Sequence, residues 1–339
     1  MSAGNGKIGV AVAGLGIGEQ HALTYLATGQ CELRWVHDLD RGKAQALAHK
    51  LGVGKVAHGF AELLDDPHTQ VISIASYDDA HFEQVVAALN AGKHVFVEKP
   101  VCRTTDELRA VKQAWARHRG KLKLTSNLVL RAAPVYQWLK QKIEEDDFGK
   151  VYAFDGDYLY GRLHKITEGW RKDVKDYSVI AGGGVHLIDL FVWLTGQRPT
   201  SVLAMGNRIC TEETPFRYDD YVAVTLQCQS GLVGRISANF GCVHRHQHVM
   251  RVYGTAKTFI SDDTGPRCRT TRDPEMPAVP VALPTLPASK GDLIPAFVDA
   301  ICHDADLAAE TQSHFDVISI VSASDHSLRT NSITDVQYL

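Results

Sequence analysis

Four short runs of β-branched and apolar residues punctuate the first 125 residues: Lys7 to Ala13, Glu32 to His37, Val71 to Ser76 and His94 to Val97. They are apolar at consecutive positions rather than alternate ones, so each strand needs cover on both faces. The segments between them carry apolar residues at helical spacing. In Asp79 to Ala91, Phe82, Val85, Val86 and Leu89 share one face. Thr104 and Glu107 have the spacing of a capping box and mark the start of another helix. Continuous apolar strands separated by helices predict an α/β fold with a doubly wound parallel sheet.

The pattern changes after Asn127. A helix is expected from Ala133 to Glu145, with Pro134 suited to its first turn. It leads into Val151 to Leu159, where Tyr152, Phe154, Gly156 and Tyr158 lie on one side of a strand. Strand-like runs follow at Ser201 to Ile209, Tyr221 to Cys228, Gly234 to Phe240 and Val249 to Tyr253, interrupted early by one helix, Val185 to Leu194. Consecutive strands without helices between them predict an antiparallel sheet, hence a second, α+β domain. Pro274 to Pro287 carries five prolines and reads as an extended surface segment, and two helices, near Leu293–Ile301 and Val317–Leu328, close the chain. The expected boundary is 1–126 for the first domain and 127–339 for the second.

A chain of 339 residues suits two cores of ordinary size. Lys and Arg number 36 against 39 Asp and Glu, a net charge of −3 that leaves no cationic surplus for a nucleic-acid backbone. No apolar run reaches the roughly 18–20 residues of a membrane span, and the N-terminus lacks the pattern of a secretory signal. Seven scattered cysteines without a Cys-x-x-Cys pair fit reduced thiols in the cytoplasm, with no metal site expected.

Val10 to His21 reads as strand, glycine turn and helix start, with Gly14, Gly16, Ile17 and Gly18 forming the turn. A dinucleotide pyrophosphate needs that arrangement: glycines admit a close backbone approach, and the helix N-terminus supplies N–H donors and a favourable dipole. The common Gly-x-Gly-x-x-Gly pattern would place its third glycine at position 19, where this chain has Glu19. The next strand ends at Asp38, 24 residues after Gly14, the place of the acid that accepts hydrogen bonds from the adenosine ribose. A carboxylate there repels a 2′-phosphate, so NAD is the expected cofactor. Arg41 nearby keeps NADP as an alternative.

Glu98-Lys99-Pro100 brings a charged pair to the C-terminal end of a buried strand, the edge at which ligands of open α/β sheets bind. A lysine there is costly to desolvate without a use. Pro100 cannot extend the strand and is compatible with a cis bond. His244, His246 and His248 alternate along a strand-like run and would share a face. Without an acidic or cysteine partner at ligand spacing, a structural or interface role is expected for them rather than metal binding.

With these motifs the chain resembles the Gfo/Idh/MocA family, relatives of glucose–fructose oxidoreductase and inositol dehydrogenase. The markers run through nearly the whole length: Gly14-Leu15-Gly16 with His21, Asp38-x-Asp40, Ala75-Ser76 with His81, Ala91 to Val95, Glu98-Lys99-Pro100, Asn127 with Arg131, Phe148 to Val151, Trp170-Arg171, and Gly182 to Asp189. The resemblance implies a Rossmann domain followed by an α+β domain with a largely antiparallel open sheet. It implies an NAD(P)-dependent oxidoreductase acting on a secondary alcohol of a sugar, nucleotide sugar or cyclitol, and a homodimer or homotetramer. Ser76, Tyr77, His81 and Glu98 would join the glycine turn and Asp38 around the cofactor. Lys99 would lie beside the nicotinamide and the reacting hydroxyl, with His186 as proton acceptor. Arg131, Tyr158, Trp170, Arg171 and Asp189 would face the substrate. Two positions depart from the family pattern. Ser76-Tyr77-Asp78 replaces the frequent Thr-Pro-Asn, and Gly182 stands where many members place an Asp four residues before the His. Either His186 works without that carboxylate, or another group such as Asp189 or Tyr158 supplements it. Two rival functions share the fold: an NAD-dependent glycoside hydrolase or lyase, and a non-catalytic sugar or cofactor sensor.

Overall fold

The computed structural model describes residues 6–339 except Val53 and Arg119. The first five residues, on which the expectation of no signal segment partly rests, lie outside the described part. The chain divides into two compact units, residues 1–129 with 288–315 and 339, and residues 130–287 with 316–338.

The first unit opens β1 (Ile8–Ala13), α1 (Gly18–Ala27), β2 (Cys31–His37), α2 (Arg41–Leu51), β3 (Lys55–Val56), α3 (Phe60–Asp65) and β4 (Val71–Ile74). It continues α4 (His81–Asn90), β5 (His94–Val97), α5 (Thr105–Ala116) and β6 (Leu124–Ser126). The six strands order β3-β2-β1-β4-β5-β6 and pair in parallel throughout. Every residue of β1 and β4 is buried, as runs without alternation require. The Thr104 hydroxyl accepts the Glu107 N–H at 3.2 Å and starts α5. The strand order reverses between β1 and β4, and open α/β sheets bind ligands beyond the strand ends at such a point.

The second unit contains α6 (Pro134–Glu144), β7 (Val151–Leu159), α7 (His164–Thr167), a π-helical turn at Ile180–Gly184 and α8 (Val185–Thr195). Strands β8 (Pro199–Asn207), β9 (Tyr221–Cys228), β10 (Val233–Asn239), β11 (Gln247–Gly254), β12 (Thr258–Asp262), β13 (Gly265–Arg269) and β14 (Val279–Pro280) follow. After α9 (Ile294–Cys302) and α10 (Ala308–Thr330), β15 (Thr334–Asp335) completes a nine-stranded sheet ordered β14-β13-β12-β11-β7-β10-β9-β8-β15. All its neighbours are antiparallel except β7 and β10. Phe154, Gly156 and Tyr158 of β7 point to the covered face, whereas Tyr152 at the start of the strand is half-exposed beside Tyr253.

The division differs from an expected single cut at 126/127. Ile294, Phe297 and Val298 of α9 are buried in the same cluster as Val10, Val12, Tyr25 and Phe96, so the segment from Ala288 to Phe315 returns to the first unit. Its amphipathic face completes cover that the earlier helices leave open. Among the described residues no helix is long and apolar enough to cross a membrane.

Candidate active site

In the first unit the chain leaves β1 through Gly14 with φ at +80°. A side chain there would also run into the Ala75 carbonyl and the Ser76 amide, so glycine is required twice over. A methyl at Gly16 would meet only open space, and no side chain caps the N-terminus of α1 beyond Ile17. That uncapped helix end leaves N–H donors for an anion, and the clear approach at Gly16 admits one. Asp38 closes the other side. One carboxylate oxygen accepts the Leu15 N–H at 2.6 Å, the other accepts the Asp40 N–H at 2.9 Å, and the Lys43 ammonium lies 3.6 Å away. Arg41 instead directs its guanidinium to His58, 3.4 Å away. The turn and its acid therefore fit a dinucleotide.

Two residues expected at the cofactor, His81 and Glu98, are engaged with protein groups. His81 is fully buried, with Nδ1 2.7 Å from the Pro100 carbonyl and Nε2 3.2 Å from the Ser76 carbonyl. It ties the loop after β4 to the loop after β5 and has no surface left for a ligand. Glu98 turns inward to His21 Nε2 at 3.3 Å and accepts a hydrogen bond from Asn127 at 2.6 Å. His21 in turn lies 3.0 Å from the Ser73 hydroxyl, and Asn127 also donates to the Lys290 carbonyl at 2.7 Å. Burial alone would raise the Glu98 carboxyl, but His21, Lys99 and Asn127 outweigh it and hold it below its ordinary value. An anchored Glu98 fixes the loop that presents Lys99, whose own peptide bond to Pro100 is cis. Ser76 donates to Gln84 at 2.7 Å, and Tyr77 is 46% exposed at the rim.

In the second unit His186 sits on the first turn of α8, buried, with its ring stacked 6.3 Å from that of Tyr158. The tract before it packs too tightly for side chains: a Cβ at Gly182 would collide with the Tyr177 hydroxyl. That hydroxyl accepts a hydrogen bond from Arg171 Nε at 3.0 Å. The Arg171 guanidinium lies 4.4 Å over the Trp170 ring and 5.8 Å from that of Tyr160. Trp170 and Arg171 thus form one stacked pair beside Tyr177.

Arg131 and Asp189, both expected at the substrate, are paired with each other. Arg131 grips both oxygens of Asp189 through Nε at 3.1 and 3.0 Å and Nη2 at 2.5 Å, and Asp189 is 1% exposed. The forked guanidinium matches the carboxylate plane, so the pair joins the segment after β6 to α8 and the Asp189 carboxylate is already held by Arg131. Tyr158 does not supplement His186 as a base, because burial pushes its phenol far above the ordinary range. His244 also leaves the group expected for it. It precedes β11, and its ring engages the Arg245 carbonyl at 2.8 Å and Asp263 at 3.1 Å on the surface. Those hydrogen bonds, the backbone one first, raise its pKa. Among the described residues no group of three or more His, Cys, Asp or Glu side chains is arranged to hold a metal ion. Sequence reasoning quoted His21 and Asn127 as markers but missed their shared grip on Glu98; the one signal was their polarity at positions otherwise given to core.

The strand order, the Gly14 turn and Asp38 define a dinucleotide-binding protein of the Rossmann class. Family models match at residues 8–126, described as an oxidoreductase family with an NAD-binding Rossmann fold, and at residues 136–260, described as the GFO/IDH/MocA C-terminal domain. The chain belongs to the Gfo/Idh/MocA family of oxidoreductases, and NAD is its cofactor. It is 25% identical to myo-inositol 2-dehydrogenase of Thermotoga maritima over 262 residues, 75% of each chain. It is 34% identical to 1,5-anhydro-D-fructose reductase of Ensifer adhaerens over 210 residues, 59% of each. Its fold matches a levoglucosan dehydrogenase solved with NADH and levoglucosan, with a TM-score of 0.85 at 22% identity, covering 98% of this chain and 100% of that one.

Proposed function

We propose that the chain transfers a hydride between NAD and a secondary alcohol of a cyclitol or sugar, with His186 taking the hydroxyl proton. The observation that carries this reading is the setting of His186: a buried imidazole on the first turn of α8, with the rival acceptors removed. Tyr158 stays a phenol and Asp189 is held by Arg131. An imidazole titrates near about 6.5 and so exchanges protons near neutral pH. Lys99 would stabilise the developing charge on the substrate oxygen as an ammonium. The bound nicotinamide supplies the hydride chemistry.

Gly14, Gly16, Ile17, Gly18 and Asp38 would hold the dinucleotide, with Ser76 and Tyr77 at its edge and His81 and Glu98 bracing the loops. Trp170 and Arg171 offer an aromatic face and a forked cation to a polyol. The names of the relatives, inositol, levoglucosan and anhydrofructose enzymes, set the substrate class. The same reading gives the second unit substrate binding and pairing with another copy. Its partly exposed sheet face carries Asp155, Asp157 and Arg235 in a charged ladder that a second copy can complement. Seven free thiols suit the reducing cytoplasm.

The test is a panel of inositols, levoglucosan and related sugars with NAD, following NADH absorbance, beside the His186→Asn variant. NADH formation that is lost in the variant is expected. Full activity in His186→Asn removes that residue as the base. Product formed without net NADH would replace the dehydrogenase by an eliminating enzyme that recycles its cofactor.

A further inference from the structure

Strands β8 and β10 flank β9 and run in the same direction, and their last residues, Asn207 and Asn239, both pair with Tyr221. The chain therefore leaves both strands at one end of the sheet. Three residues further on, each exit carries a cysteine, Cys210 and Cys242. Neighbouring strands lie about 4.8 Å apart, so the exits start roughly 10 Å from each other and then converge. The Cys210 thiol donates to the Gly241 carbonyl at 3.1 Å, and the Cys242 thiol donates to the Asn239 carbonyl at 3.4 Å. A trans peptide holds the Gly241 oxygen about 2.8 Å from the Cys242 Cα, so Cys210 Sγ lies no more than about 6 Å from that Cα. Glycine at 241 makes the approach possible, because a Cβ there would collide with Cβ and Sγ of Cys210.

Asp220, buried just before β9, ties both exits together. Its carboxylate accepts the Thr211 N–H at 2.7 Å and the Thr211 hydroxyl at 2.9 Å. Its N–H donates to the Asn207 carbonyl at 3.0 Å, and its carbonyl accepts the Phe240 N–H at 2.8 Å. The two thiols thus keep their place as neighbours. They are also within reach of solutes: Cys210, Ile209 and Val243 are exposed, and Cys242 is half-buried. Cys31, Cys102, Cys228 and Cys268 are buried, and the exposed Cys302 belongs to the first unit. A zinc site takes four ligands, and among the described residues no group of three or more metal-ligating side chains is arranged to hold an ion. Cys242 lies two residues from Phe240, whose ring is 5.6 Å from Tyr158, 4.5 Å from Tyr160 and 6.4 Å from Tyr177. The thiol pair therefore borders the aromatic cluster beside His186.

We propose that Cys210 and Cys242 are a modification site, a dithiol that a small disulfide such as oxidised glutathione converts to an intramolecular disulfide. The Cys242 thiolate attacks one sulfur of the oxidant, whose S–S bond breaks and releases a glutathione thiolate. The Cys210 thiolate then attacks Cys242 Sγ in the mixed disulfide, and a second glutathione thiolate leaves as the Cys210–Cys242 bond forms. The protein gives up two electrons and two protons, and the oxidant becomes two thiols. The order follows from the surroundings. Burial, then Asp220 and Cys242, hold the Cys210 thiol above its ordinary range, so Cys242 reacts first. A Cys242 bound to glutathione carries no charge, which removes one of those influences when Cys210 attacks. Disulfides span Cα separations of about 4.4–6.8 Å, a range that the shared contact at Gly241 brings within reach of side-chain rotation and a small loop shift.

The test treats the folded Cys302→Ser protein, in which the pair holds the only thiols that are not buried, with oxidised glutathione. Intact mass is expected to show two hydrogens lost and no glutathione retained. Peptide mapping without reductant should join the peptides of Cys210 and Cys242, and dithiothreitol should restore both thiols. Adding Cys210→Ser should stop the reaction at the mixed disulfide, with one glutathione held on Cys242. Peptide mapping of the unaltered chain answers the same question should Cys302→Ser fail to fold. A folded protein that stays reduced, a pair that retains two glutathiones, or a disulfide between two molecules overturns the proposal. Bridging that needs prior unfolding in urea overturns it as well.

Discussion

The Tyr177 hydroxyl occupies the space into which any side chain at Gly182 would grow. The carboxylate that many relatives place four residues before the histidine is therefore excluded by packing, and a phenol held by Arg171 stands in that space. Gly182→Ala is expected to destabilise the protein by about 1–3 kcal/mol through overpacking, and Gly182→Asp to do so without restoring a base partner. In the double variant Gly182→Ala/Tyr177→Phe the loss should be smaller than the sum of the single losses, because the two positions share one space. Thermal melts of the four proteins measure this. Additive losses would show that the contact is not the cause.

Lys99→Ala should leave the fold and NAD binding nearly intact and lower turnover by about 10²–10⁴-fold, the scale of a positioned electrostatic group. Stopped-flow hydride transfer with circular dichroism as the folding control makes the comparison. Unchanged turnover takes Lys99 out of the chemistry.

Asp38 accepts the Leu15 N–H and so shapes the turn, beside the ribose contact proposed for it. Asp38→Ala is expected to weaken NAD binding by about tenfold, roughly one lost charged hydrogen bond. Binding of NADP should fall less, because the repulsion of its 2′-phosphate is relieved. Fluorescence titration with both reduced cofactors reads the ratio. A wild-type preference for NADP would refute the role given to Asp38.

Asp325 of α10 accepts a hydrogen bond from Ser178 at 2.7 Å, just ahead of the π-helical turn. Burial lifts its carboxyl from the ordinary 3.8 to about 6, against opposing pulls from Ser178 and Arg329. A carboxyl raised in the folded state binds its proton more tightly there than in the unfolded chain. Stability therefore falls as pH rises from 3.8 toward 6, and the loss is complete above that. Asp325→Asn should add about 1–3 kcal/mol near pH 7 and little below pH 4, read from urea midpoints across that range. A gain independent of pH would contradict the assignment.

Backbone demands were legible in the sequence, and side-chain destinations were not. Gly14 announces itself because no other residue takes its φ and its contact with Ala75, and Asp38 because it ends the next strand. Continuous apolar runs gave away the parallel sheet for the same reason. Arg131 and Asp189 are 58 positions apart, and nothing local marks them as partners. The inward turns of His81 and Glu98 depend on carbonyl, imidazole and amide groups from other loops. The parallel pairing of β7 with β10 escapes a reading that takes neighbouring strands in order, since two strands intervene. The return of Ala288–Phe315 was hidden because an amphipathic helix does not say which sheet it will cover.

That return has a consequence for synthesis on the ribosome. The sheet that binds the dinucleotide is fully translated by residue 126, yet Ile294, Phe297 and Val298 of its buried cluster come 168 residues or more later. Until then the nascent first unit must persist with an apolar patch uncovered while residues 130–287 of the second unit emerge. The second unit is split as well, since residues 316–338, with β15 of its sheet, follow the returning segment. Translation interrupted between β6 and α9 would therefore release a product whose cofactor half, although made first, lacks its late cover, and whose second half lacks residues 316–338.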